Sequence, residues 1–388
     1  MKIQVDSYKL ARACSLATKN IPNKVTMPII ENLHIMVVGE MLKITSTDTE
    51  TWVVYEVPAT IERYELPNAF CINAANFTSL LMAIPSQPVT IEVLERKGSV
   101  PVVRYAKITH TCGTSELPVA NADEYPILQP ITSEGCSVSA DVLKKSIQTC
   151  RFCMFSDAEA KPALAAICLD FKGGSMVAVA SDGNIFARLE HPDIQGEAYK
   201  CLLPPKAIGL LSPALDDVLK DKEAIDVVMI RKNSNMVCIQ TQSASIYFRQ
   251  IEQRYPNYDA VIPKRELCSC EAVMNRMDLI SAVTRASLFA PAASMVLKFS
   301  FDGCKDYLTI RGEDVDFSTS GEEKVTCEFN SSKILTIGLK ATFIKDILSH
   351  ISSEQVRFSM IDATRAVIIT EEKGNPNLLM MQMPMLLR

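Results

Sequence analysis

Histidine is scarce in this sequence: four in 388 residues, His34, His110, His191 and His350, each far from the next. No HExxH, GxSxG or GxxxxGK string occurs, which removes the usual metallohydrolase, serine-hydrolase and phosphate-loop routes to catalysis. Only 14 glycines are present, so a glycine-rich nucleotide cradle is poorly supported. The chain is expected not to be an enzyme and to need no cofactor. Long apolar runs are missing too. No stretch approaches the roughly 18 residues of a membrane span, and Met1 to Leu10 lacks the apolar core of a signal peptide. A cytoplasmic protein with no membrane contact is expected. Nor is there an excess of positive charge. With a net charge of −5 the surface as a whole repels nucleic acid, and any DNA contact must come from basic residues gathered on one face.

What is present is ordinary globular material, 48% apolar and 22% charged, without the polar bias of disorder. At about 100 to 200 residues per domain the length fits three domains. Thirteen cysteines are scattered through apolar runs such as Ala166 to Phe171 and read as reduced core residues. Cys150 and Cys153 form a CxxC, but zinc needs a second pair, and Cys268 and Cys270 have the wrong spacing. No metal site is expected.

One pattern recurs three times. An amphipathic helix places apolar or small residues at Leu10, Ala13, Cys14 and Ala17, again at Leu143, Ser146, Ile147 and Cys150, and again at Leu279, Ala282, Val283 and Ala286. Four positions before each lies a capping residue, Asp6, Ser139 and Asn275, able to accept from the free amides of a first turn. A strand ending in aspartate follows: Leu42, Ile44 and Asp48, then Met176, Ala178 and Asp182, then Leu308, Ile310 and Asp314. A second helix repeats as Phe77, Leu80, Leu81, as Ala207, Leu210, Leu211 and as Ile344, Ile347, Leu348. Tyr125-Pro126, Tyr255-Pro256 and Met383-Pro384 close the copies. Short alternating strands are expected at Val89–Leu94, Val102–Thr109, Ala224–Met229 and Val356–Met360. The fold class is therefore α+β, three tandem copies of a two-helix domain with both helices on one face of an antiparallel sheet. The domain boundaries expected are 1–130, 131–264 and 265–388.

On the first helix Lys9, Arg12 and Lys19 share a face away from the apolar stripe, and Lys144 and Arg151 do the same in the second copy. A lone helix of this kind is usually just solvated. Repetition favours a shared role instead, non-specific contact with phosphate. In the third copy Asp278 and Ser281 weaken the positive face, leaving Arg276 and Arg285 nearby.

Several strings, in the right order on this threefold repeat, resemble the bacterial DNA sliding clamps, the beta subunits of the DNA polymerase III holoenzyme. They are Lys24–Leu33, Val179–Ala187, Arg254–Lys264 and the closing Met383-Pro384-Met385. The resemblance covers the whole chain. It implies the DNA clamp fold closing into a ring as a dimer of six domains, with helices lining a hole and sheets outside. Such a ring encircles double-stranded DNA without reading sequence and confers processivity without catalysis. The partners implied are the polymerase III catalytic subunit, an ATP-driven clamp loader, and other polymerases and repair proteins that dock through short peptides.

By the same resemblance the DNA-contact set is Lys9, Arg12, Lys19, Lys24, Lys144, Lys145 and Arg151. The partner-peptide pocket would be lined by Leu164, Ser181, Gly183, Asn184, Ile185, Phe186, Pro256, Val261, Phe343, Met383, Pro384 and Met385, with methionine supplying an adaptable surface. Ser181, Asn184 and main-chain groups near Gly183 are expected to hold the peptide's polar atoms. Leu288 and Phe289 fall where the family places apolar dimer-interface residues. Asn184-Ile185 stands in place of a family His-Arg, and Ala260 and Leu386 in place of arginines, which bears on peptide specificity. The alternative reading is a repeat scaffold that binds proteins but not DNA.

Overall fold

The computed structural model describes residues 1–24, 27–63, 68–96, 103–221 and 224–387. Val25 and Thr26, inside the string Lys24–Leu33, and Val102, at the head of an expected strand, lie outside them. Three times over, the chain lays down a strand, a helix, four strands, a helix and three strands. The first set is β1 (Lys2–Asp6), α1 (Ser7–Thr18), β2 (Asn32–Val38), β3 (Met41–Thr47), β4 (Thr51–Arg63), β5 (Ala69–Asn73), α2 (Ala74–Ala83), β6 (Pro88–Glu95), β7 (Arg104–His110) and β8 (Gly113–Ala120). The second is β9 (Gly135–Val138), α3 (Ala140–Cys150), β10 (Ile167–Phe171), β11 (Ser175–Ser181), β12 (Ile185–Pro192), β13 (Tyr199–Leu203), α4 (Pro205–Lys220), β14 (Val228–Lys232), β15 (Met236–Gln240) and β16 (Ala244–Arg249). The third is β17 (Cys270–Asn275), α5 (Arg276–Ser287), β18 (Val296–Phe301), β19 (Tyr307–Asp314), β20 (Thr319–Phe329), β21 (Leu335–Lys340), α6 (Ala341–Ser349), β22 (Gln355–Met360), β23 (Val367–Glu371) and β24 (Leu378–Gln382). The expected α+β class is what the chain adopts, and among the described residues no helix is long and apolar enough to cross a membrane.

The helices begin where the sequence places their caps. Asp6 accepts from the Lys9 amide at 2.9 Å, Ser139 Oγ from Val142 at 3.1 Å, and Asn275 from Met277 and Asp278. Every member of the three apolar stripes is buried. Full burial of a residue such as Leu10 or Leu279 contributes about 1.5 to 3 kcal/mol. The small residues in each stripe let α1 lie close on β3 and β4, with α2 beside it, and α5 on β20 beside α6.

The strand-ending aspartates each close a tight turn. Asp48 Oδ1 accepts from Glu50 and Thr51, Asp182 Oδ1 from Asn184 and Ile185, and Asp314 Oδ1 from Asp316 and Phe317. A carboxylate taking two main-chain amides substitutes for the ladder the turn interrupts.

One expected strand moves. Ala224–Met229 reads as alternating, but β14 starts only at Val228. Asp226 is diverted to the Ala140 amide at the start of α3, 2.7 Å away. Ile225 and Val227 consequently face solvent.

All strand pairings are antiparallel, and they form two sheets of twelve. The first runs β1-β6-β7-β8-β5-β2-β3-β4-β16-β15-β14-β9, the second β13-β10-β11-β12-β24-β23-β22-β17-β20-β19-β18-β21. These sheets are also the two compact units of the chain, residues 1–144 with 205–250, and residues 145–204 with 251–388. Each unit thus holds one complete copy and half of the middle one, because the main-chain ladder runs on from β4 to β16 and from β12 to β24.

Within the first unit His34 on β2 is buried, stacked on Tyr125 with ring centroids 5.2 Å apart. Its Nε2 has no hydrogen-bond partner among the described residues. Burial disfavours the imidazolium and pulls its pKa below the ordinary 6.5. The unfolded chain then binds the proton more readily, so this contribution to stability is complete above pH 6.5 and is lost as pH falls through the folded-state value. Compared with His34→Phe, wild-type unfolding free energy should decline below pH 6.5 by at most about 1.4 kcal/mol per pH unit, the one-proton limit. Parallel stability curves from denaturant titrations at pH 5 to 8 would reject this.

Candidate DNA-contact, partner-peptide and subunit-joint surfaces

The cations expected on the helix faces divide into two groups. Lys9, Lys19 and Lys24 are exposed, as are Lys145 and Arg151, and none of the five has an ion-pair partner among the described residues. Arg12 and Lys144 are different. The Arg12 guanidinium takes both carboxylate oxygens of Asp217 on α4, with Nε 3.0 Å from Oδ2, and the hydrogen bond to Asp217 raises its pKa above the ordinary value. Lys144 Nζ lies 2.6 Å from Asp216 Oδ1. The adjacent aspartates of α4 thereby draw α1 and the start of α3 to its two sides. Sequence reading missed them because α4 was recognised by its apolar stripe alone.

In the third copy the remaining arginines are engaged. Arg276 donates to the Leu348 carbonyl in the last turn of α6 at 3.2 Å and to the Ser353 carbonyl beyond it at 3.0 Å, and Arg285 pairs with Glu323 at 2.6 Å. Its outward face, Met277, Asp278, Ser281 and Thr284, carries little positive charge.

The expected peptide-pocket residues all lie in the second unit. After β24 the tail is held by two main-chain bonds, Met383 N–H to Asn184 O at 2.7 Å and Met385 N–H to Gly338 O at 2.9 Å. A Cβ at Gly338 would collide with the Met385 carbonyl, so glycine is what admits the tail. Phe186 lies in a core cluster with Tyr255, Tyr258 and Met381, and Leu164 packs against that cluster. Leu164, Phe343, Pro384 and Met385 are partly exposed, while Pro256, Val261 and Met383 are exposed. Ile185 and Phe186, which the resemblance places in the pocket lining, are buried.

The polar capacity expected of the turn is mostly spent. Ser181 Oγ donates to Ile185 O and accepts from Gly183 N–H, the Asn184 amide goes to Asp182, and the Asn184 carbonyl goes to the tail. What is left for a ligand is the Asn184 side chain and the space before Gly183, whose φ of +96° excludes other residues and whose Cβ position meets nothing within 4 Å. Two further groups support the site and were not legible in sequence. Buried Gln382 reaches the Lys340 carbonyl at 3.5 Å, and Tyr258 donates to Asp170 at 2.6 Å, fixing the segment that carries Pro256 and Val261.

Leu288, 77% exposed, caps the end of α5. Phe289 beside it lies with its ring against Gly321 of β20, where a Cβ would collide with the ring carbons. Val315 and Phe317, 80% and 79% exposed, project from the turn between β19 and β20. Next to them runs an open edge. β20 pairs with β19 along 319–326 on one side, but with β17 only through 327–329 on the other. β8 is similar: its 113–118 stretch pairs with β7, and β5 meets only Val119 and Ala120.

Residues 1–129 match the family model of the DNA polymerase III beta subunit, N-terminal domain, and residues 260–386 that of the C-terminal domain. A beta sliding clamp of Pseudomonas putida is 22% identical over 99% of this chain and 100% of its own length, and one of Streptomyces coelicolor is 24% identical over 95% and 94%. Among solved structures, the DNA polymerase sliding clamp of Bacillus subtilis superposes with a TM-score of 0.86 at 20% identity, covering both chains fully. A Pseudomonas aeruginosa clamp bound to griselimycin gives 0.84 at 21%, again with both chains covered. With the two family models together matching well over half of its length, the chain belongs to the DNA polymerase III beta subunits, the bacterial beta sliding clamps, a family of non-catalytic processivity factors.

Proposed function

We propose that this chain closes into a head-to-tail dimeric ring around duplex DNA and tethers the replicative polymerase and other DNA-processing proteins in the cytoplasm. The observation that carries this reading is a rule in the strand pairing. Taking the three repeats, 1–130, 131–264 and 265–388, as the domains, the fourth strand of one copy pairs with the eighth strand of the next: β4 with β16, and β12 with β24. By that rule the fourth strand of the third copy, β20, calls for the eighth strand of a first copy. β8 has just such an open edge, as has β20, and a second chain is where another β8 is found. Two identical joints of this kind close a ring. Leu288 and Phe289 beside the β20 edge supply its apolar part.

Lys9, Arg12, Lys19, Lys24 and Lys144 in the first unit, and Lys145 and Arg151 in the second, are the proposed phosphate contacts, suited to sliding because they do not read bases. Leu164, Val261, Phe343, Met383, Pro384 and Met385 form the proposed docking surface for short peptides of polymerases, loader and repair proteins. The rival reading, a scaffold that binds proteins only, is separated by retention on nicked circular against linear DNA. A ring stays on the first and runs off the second.

Replacing Lys9, Lys19 and Lys24 with alanine should leave the melting temperature nearly unchanged, since exposed charges contribute little stability. It should also flatten the slope of log affinity against log salt by about 0.9 for each phosphate no longer neutralised. An unchanged slope removes these residues from the surface. Leu288→Lys with Phe289→Lys should sediment as a monomer at concentrations where wild type is a dimer; a persistent dimer places the joint elsewhere. Deleting Met383 to Arg388 should weaken a polymerase-derived peptide bearing leucine or phenylalanine beside a glutamine by about 2 to 4 kcal/mol, if the tail holds a hot spot, while the dimer survives. Equal peptide affinity by calorimetry would refute the tail's role.

A further inference from the structure

The two ion pairs on α4 do more than join helices. We infer that Asp216 and Asp217 are built-in competitors for phosphate that hold Arg12 and Lys144 in reserve and so set how loosely the chain grips DNA. The inference rests on the DNA-contact reading above.

The geometry argues for competition and against permanent pairing. Arg12 and Asp217 side chains remain 40% and 27% exposed, and those of Lys144 and Asp216 34% and 40%. Ion pairs this open to water typically contribute on the order of 1 kcal/mol or less, so a phosphate of high local charge density can displace the carboxylate. A cation drawn away from its aspartate leaves that aspartate unpaired near the same phosphate. The exchange therefore yields less than an unpaired lysine would. Lys9 on α1 and Lys19 at its C-terminal cap have no such competitor among the described residues. α1 thus presents cations of two kinds, some free and one tethered. The tether also crosses from the first repeat to the second, whereas the Lys144 pair stays within the second.

The test uses full-length protein and a linear duplex of random sequence, with affinity followed against salt. Asp216→Asn with Asp217→Asn keeps hydrogen-bonding shape and removes the competing charge. Affinity at low salt should rise several-fold, and the slope should steepen by up to about 0.9 for each of the two cations released. The same two changes made together with Arg12→Gln and Lys144→Gln should bring no gain, because nothing is left to release. An equal gain in that background would mean simple repulsion of DNA by the aspartates and would overturn the inference. So would unchanged affinity of the asparagine variant beside a salt-dependent wild type, with circular dichroism melts establishing that both are folded. A wild type with no salt-dependent binding would overturn the DNA reading itself, and this inference with it.

Discussion

Main-chain hydrogen bonding along strand edges governs this molecule more than any side-chain contact. An antiparallel strand must satisfy a row of amides and carbonyls on each side, and here the rows run across repeat boundaries. β4 shows the constraint best. At 13 residues it is the longest strand because it serves three partners: β3 along one side, and β16 and then β1 along the other. Pro58 sits within it without harm. The Glu56 amide points to Ser243 and the Ala59 amide to Glu40, so by alternation the missing amide at 58 would face the gap where β16 has ended and β1 has not begun. Proline is tolerated in a strand where no ladder bond is due.

Against this regular frame the side-chain chemistry differs from joint to joint. Arg12 with Asp217, Lys206 with Asp48 and Arg249 with Glu50 link the first repeat to the second by charge, beside an apolar cluster of Trp52, Leu128, Met236, Cys238 and Tyr247. Between the second and third repeats the corresponding contacts are apolar and aromatic. Phe152 stacks on His350 with centroids 4.1 Å apart, and Tyr255, Phe186, Ala366, Ile368 and Met381 share one buried cluster. The ladder can repeat because it depends on backbone, leaving side chains at each joint free to take up other work.

Periodicity made the six helices of the described residues, the caps of α1, α3 and α5 and the aspartate turns legible from sequence, since each depends on residues within one turn or one strand. Lys9 and Lys19 were legible for the same reason, whereas Lys24 was singled out only by resemblance. The Asp216 and Asp217 partners were not, because Arg12 and Asp217 are 205 positions apart and nothing local marks them as neighbours. The spent polar groups at Ser181 and Asn184 were equally hidden: a serine, a glycine and an asparagine so close together look like available donors until the turn's own bonds are traced. The start of β14 was misjudged because alternation at Ala224–Met229 cannot reveal that Asp226 caps a helix 86 positions earlier.

The sharing of the middle repeat between two sheets sets an order of events during synthesis. The first sheet lacks its last three strands until residue 249 has been made, and by then the segment carrying β10 to β13 has already emerged without β24, its partner in the other sheet. A nascent chain of that length has completed one unit and carries an orphaned part of the other, with the β12 edge unpaired until β24 has been made. Chains that stop between β12 and β24 therefore keep an unpaired strand edge, a template for association with other chains.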